Sequence, residues 1–170
     1  EISLGLVGSE MCIRDRLKGK RVFICGGTGR SFAAAALIDD FGMELVGLET
    51  PIYDEDAQTD IEYLNGIHEN FVVDIANMQP FEQANLLSKL KPDAFIGVLE
   101  WAAKLGIPTT HVLDGKRPTM GYDGLLFLGN KIADQLQNPG FNVKLAQHVK
   151  LPYKDSWYQE NAFKYIKGGN

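Results

Sequence analysis

The chain has 170 residues, enough for one domain with a sizeable core, and its 45% hydrophobic and 23% charged composition is that of an ordinary globular protein. A formal charge of −5 without clustered Lys and Arg argues against a nucleic-acid partner, because phosphate binding needs a concentrated basic face. No apolar run approaches the ~20 residues that span a bilayer. Cys12 and Cys25 make neither a disulfide framework nor a CxxC pair, so a cytoplasmic protein without a membrane partner is expected.

Residues 1–8 are apolar but lack the basic start of a signal sequence. The string Ser9-Glu10-Met11-Cys12-Ile13-Arg14-Asp15-Arg16 resembles a translated artefact that recurs at gene ends in metagenomic assemblies. Residues 1–16 are therefore expected to be non-native and to add nothing to the core, with the domain starting at Leu17.

Arg21-Val22-Phe23-Ile24-Cys25 is apolar after its first residue and predicts a buried parallel strand. It stops at Gly26-Gly27-Thr28-Gly29. Ser31 can cap the next helix, which places Ala34, Leu37, Ile38 and Phe41 on one face and ends at Gly42. A second strand is predicted at 44–48, an acidic surface helix at 53–64 and a third strand at 71–75. Pro80 suits a first helical turn, Phe81, Ala84, Leu87 and Leu90 follow at helical spacing, and Pro92 stops the helix. A fourth strand at 94–98, a short helix at 100–105 and a fifth strand at 107–112 come next. A long helix at 122–137 carries Leu125, Leu128, Ile132 and Leu136 as its apolar stripe. This alternation predicts an α/β doubly wound parallel sheet of about five strands over residues 17–140. Residues 141–170 read as an irregular C-terminal tail. From Asn138 onward, Phe141, Tyr153, Trp157, Tyr158, Phe163 and Tyr165 are spread over polar sequence, able to pack on their own domain or on another chain.

In an open parallel sheet, ligands bind at the carboxyl ends of the strands. Two loops qualify, at 26–30 and 111–121. The first resembles a dinucleotide fingerprint, with Glu49 about 20 residues on as a ribose-binding acid, but Phe32 occupies the third fingerprint position, where close helix–strand packing needs Gly or Ala. Backbone N–H groups at a helix start, with Arg30 beside them, suit an anionic ligand such as an electron-rich metal–sulfur cluster. A tight βα turn that needs glycines for its geometry is the other reading. Of three histidines, His68 and His148 fall in polar stretches and read as solvated, whereas His111 ends a strand. Its imidazole is a candidate first-row metal ligand, with a structural histidine as the alternative. Cys25 reads as buried and inert, and Lys116 and Arg117 add positive charge to the second loop.

Leu17-Lys18-Gly19-Lys20-Arg21-Val22, Gly26-Gly27, Phe41-Gly42-Met43-Glu44-Leu45-Val46-Gly47, Lys91-Pro92-Asp93, Gly106-Ile107-Pro108 and Gly121-Tyr122-Asp123-Gly124 occur in this order. Together they resemble the α-type subunits of the nitrogenase component 1 family over residues 17–137. The resemblance implies a Rossmann-like, cofactor-side domain near the C-terminus of a longer oxidoreductase. His111, counted back from Gly121, would ligate an iron–sulfur-based metallocluster, FeMo-cofactor-like with an unspecified heterometal. Gly26 and Gly27 would approach that cluster with Arg30 beside them, although Arg30 is displaced by one position from the family's arginine. The stretch between Gly97 and Gly106 is shorter than in the molybdenum enzyme, with Glu100 and Lys104 where that enzyme has a lysine near homocitrate. A β-type component 1 subunit and an ATP-dependent iron–sulfur reductase are the implied partners, for ATP-coupled reduction of a small substrate. The family's cysteine ligands would lie upstream of Leu17, so the fragment alone is expected to be inactive. A cofactor-assembly scaffold of the same family and an NAD(P)-binding Rossmann domain are the alternatives.

Overall fold

The computed structural model describes residues 2–76, 79–97, 100–111 and 121–161. At its centre lies β1 (Arg21–Cys25), whose side chains from Val22 to Cys25 are all buried. A strand covered on both faces has to be apolar on both, which is why this run does not alternate. β1 pairs in parallel with β2 (Glu44–Thr50) on one side and β4 (Ala94–Gly97) on the other. β3 (Val72–Ile75) extends the sheet beyond β2, and β5 (Thr109–Thr110) extends it beyond β4. The order β3-β2-β1-β4-β5 is the doubly wound parallel sheet of five strands expected from the sequence. β5 is shorter than expected at its start, where Pro108 has no N–H to give and only accepts, from Phe95 N at 2.8 Å.

Successive β1 side chains enter opposite layers. Val22 and Ile24 join Phe32, Ala35 and Ile38 of α2 (Thr28–Asp40), Leu64 of α3 (Glu55–Asn65) and Leu128 and Ile132 of α6 (Gly121–Gln137). Phe23 and Cys25 join Leu86 and Leu87 of α4 (Pro80–Leu90) and Ala102 of α5 (Glu100–Lys104). Local signals end these helices where the sheet needs them to. Gly42, at φ +66°, closes α2 in a left-handed turn. Lys91, at φ 47°, caps α4 with its N–H on Leu87 O. Asp93 then clamps the start of β1: Arg21 N donates to its Oδ2 at 2.8 Å, and its own N–H donates to Arg21 O at 2.8 Å. The Lys91-Pro92-Asp93 element is thus the device that sets β4 beside β1.

Two expectations need correction. The segment before Leu17 does contribute to the core through Ile13, which is 1% exposed in helix α1 (Ile2–Leu17). Ile13 packs so closely on α6 that a Cβ at Gly129 would sit 2.6 Å from its Cγ2. Arg16 adds a 2.6 Å ion pair to Asp134, worth little at the surface. The described part of the tail, up to residue 161, is not irregular either, because it carries α7 (Gly140–His148) and α8 (Asp155–Gln159). The Asn85 amide on α4 holds α8 by donating to Trp157 O at 2.8 Å and Glu160 O at 3.1 Å. Trp157 and Tyr153 lie on Phe81, with ring centroids 3.7 and 4.9 Å away, so these tail aromatics pack on their own domain. Phe141 stays 74% exposed, while Phe163 and Tyr165 lie outside the described residues.

Replacing a buried Ile by Ala costs about 2–5 kcal/mol. Ile13→Ala is therefore expected to lower the urea-unfolding free energy by an amount in that range. An unchanged unfolding curve would show that Ile13 does not contribute to the core.

Candidate functional site

Parallel pairing puts the carboxyl ends of all five strands on one edge, so the loop after β1 and His111 after β5 share it. Strand order reverses between β1 and β4, where such sheets open a crevice. β1 and β5 are two strand spacings apart, roughly 10 Å. His111 is half-buried there, the next residue after β5.

The glycine loop has a defined shape. Gly27 is the N-cap of α2 without a side-chain cap, and its carbonyl accepts from Arg30 N at 3.0 Å and Ser31 N at 2.9 Å. The Thr28 and Gly29 N–H groups at the helix start are left without an intrahelical acceptor. Arg30 folds back on the loop: a Cβ at Gly27 would lie 3.0 Å from its Nη2, and one at Gly26 would lie 3.0 Å from Ser31 Oγ. The glycines thus serve the turn itself, and the same absence of side chains lets the Arg30 guanidinium lie against the loop main chain. On β4, a side chain at Gly97 would collide with the Cys25 carbonyl oxygen, so β4 reaches the crevice without one. Lys116 and Arg117 lie outside the described residues, as does the side chain of Glu100; Lys104 places its ammonium 4.6 Å above the Trp101 ring.

Sequence reasoning missed a buried polar group beneath this edge. Cys25, Glu49 and Asp74 are register partners on β1, β2 and β3, and Gln83 of α4 meets the first two. Gln83 Nε2 donates to Glu49 Oε2 at 2.5 Å. Burial pushes the Glu49 carboxyl up to about 7, against the pull of the Gln83 hydrogen bond and with Asp74 adding to the rise. Burial and then Glu82 push Asp74 up to about 6. Burial and the neighbouring Glu49 raise the Cys25 thiol as well, in keeping with an inert core cysteine. The available signal was an acid within the apolar run of each of two strands, Glu49 after Leu45–Leu48 and Asp74 between Val73 and Ile75. His68 is corrected too: it is 7% exposed, with Nε2 2.9 Å from Ala35 O and its ring edge-on to Phe71. His148 is exposed as expected.

A family model described as nitrogenase component 1 type oxidoreductase matches residues 6–137. The chain belongs to this family. Among curated relatives it is 30% identical over 130 residues to the nitrogenase iron-molybdenum cofactor biosynthesis protein NifE of Sinorhizobium fredii, covering 74% of this chain and 26% of that protein. It is 26% identical over 153 residues to NifE of Rippkaea orientalis, covering 87% and 31%. The solved structure titled nitrogenase Cp1 at pH 6.5 superimposes with a TM-score of 0.68 at 18% identity, over 86% of this chain and 33% of that one. A second, at pH 5, gives 0.61 at the same identity, over 89% and 36%. These structures share the fold of this nitrogenase-family chain. The chain spans about a quarter to a third of the length of the relatives it matches.

The fingerprint reading fares poorly in this geometry. Glu49 is 1% exposed and bound to Gln83, so it does not reach a ribose, and Phe32 is locked in the core. Calorimetric titration with NAD or NADP is expected to show no saturable binding. Micromolar binding lost in Glu49→Ala would revive the nucleotide reading.

Proposed function

We propose that the carboxyl edge between β1 and β5 forms part of the binding site for an iron–sulfur-based metallocluster, in the α-type subunit of a nitrogenase-like two-component reductase. The observation that carries this reading is the sharing of one edge by His111 and the loop of Gly26, Gly27 and Arg30. The donor types suit such a group. Imidazole is a good ligand for first-row metals, and helix-start N–H groups with a guanidinium suit the negative charge of a sulfur-rich cluster. His111 would bind metal directly, while the loop N–H groups and Arg30 would hold the cluster's anionic face. When bound, such a cluster supplies stored electrons for reduction of a small substrate. The rest of the site would come from other parts of a longer chain, with a β-type subunit and an ATP-dependent iron–sulfur reductase as partners.

The NifE relatives favour a second reading within the same family, a scaffold on which the cofactor is assembled and from which it is passed on. Both readings need the cluster at this edge. They differ in whether the loaded protein reduces substrate with its reductase and ATP or transfers its cluster to an acceptor.

The test is His111→Ala in the assembled full-length protein, prepared without oxygen, with iron content, visible spectrum and melting temperature measured together. Loss of even an outer-shell partner typically costs ~10–100-fold in metal affinity, and loss of a direct ligand should cost at least as much. The variant should melt near the parent temperature with its cluster lost or altered. A variant that keeps iron, spectrum and activity would make His111 a structural histidine.

A further inference from the structure

The buried group under α4 has more acceptors than donors. Glu49 and Asp74 bring four carboxyl oxygens and Gln83 one amide oxygen, against the Gln83 amide hydrogens and the Cys25 thiol. Asp74 Oδ2 and Gln83 Oε1 are both buried without a hydrogen-bond partner. The charged groups acting on Glu49 are themselves acids: Asp74 on β3 and Glu82 on α4, with the Cys25 thiol alongside on β1. On Asp74 the acting charge is Glu82. The α2 side contributes only the Ser31 hydroxyl, which donates to Glu49 O at 3.3 Å. Two carboxylates side by side in a buried site, with no cation beside them among the described residues, cannot both ionise cheaply. A proton on one of them relieves the repulsion.

We propose that Glu49 and Asp74 act as a two-carboxyl unit that retains a proton inside the fold near neutral pH, making the packing of α4 on the carboxyl ends of β2 and β3 dependent on pH. The sign follows from the direction of the shifts. Both carboxyls bind protons more tightly in the folded chain than in the unfolded one. Their contribution to stability is therefore full in acid. For Asp74 it is lost between about 3.8 and about 6, and for Glu49 between about 4.5 and about 7.

Infrared difference spectra of the full chain in heavy water, together with melting temperature against pH, test this. The wild type should show a neutral-carboxyl carbonyl band near neutral pH that disappears on alkalinisation. Glu49→Gln should remove that band, melt a few degrees higher than the wild type in mild alkali and lose part of the pH dependence. Asp74→Asn serves as the second variant and should flatten the lower part of the same curve. Absence of the band in the wild type, or variant melting curves parallel to the wild type across the whole range, would overturn the proposal.

Discussion

β1 and β4 approach each other so closely at Gly97 that no side chain fits there, and the remaining architecture is arranged around that contact. A Cβ at Gly97 would meet the Cys25 carbonyl, which is main chain and cannot swing aside. The same pair of strands stacks Phe23 on Phe95, with centroids 5.9 Å apart and rings within 8° of parallel. Asp93 fixes the register at the opposite end by its reciprocal bonds to Arg21. Because β1 sits in the middle of the sheet, this pairing decides where the strand order reverses and so where the crevice opens. The glycine loop begins one residue beyond the contact.

Much of the order of elements was legible because parallel strands buried on both faces read as unbroken apolar runs, and the helices between them end on strong local signals. Several motifs that carry the family resemblance prove to be such signals. Gly42 at φ +66°, Lys91 at φ 47° and Gly106 at φ +82° each occupy left-handed backbone that closes a helix. These residues report on the fold and contribute to the site only by placing it. The tail was misread because α8 is held by a long-range pair of bonds from Asn85, which no local periodicity reveals. At the start of the chain, the burial of Ile13 on Gly129 depends on α6, more than a hundred residues away, which local sequence does not reveal.

The candidate site divides the same way. The positions of residues 26–30 and His111 followed from strand ends alone, because a parallel sheet puts all its carboxyl ends together. What sequence patterning could not give was the direction of Glu49. Spaced as a ribose-binding acid, it instead faces inward beneath α4, in register with Asp74 and Cys25. One edge of the sheet therefore offers two kinds of environment. The carboxyl ends carry the glycine loop and His111, and the α4 layer encloses carboxyls that burial drives toward their neutral forms.

In the proposed site the His111 imidazole bonds to a metallocluster at the carboxyl ends of the strands. Pulsed electron paramagnetic resonance on the full-length, cluster-loaded protein reads that bond through the coupling of the cluster's electron spin to a ligand nitrogen. A His111 ligand gives a nitrogen coupling that changes when histidine is supplied with heavy nitrogen and vanishes in His111→Gln. A paramagnetic cluster with no histidine nitrogen coupling, or with one that survives the substitution, would contradict it.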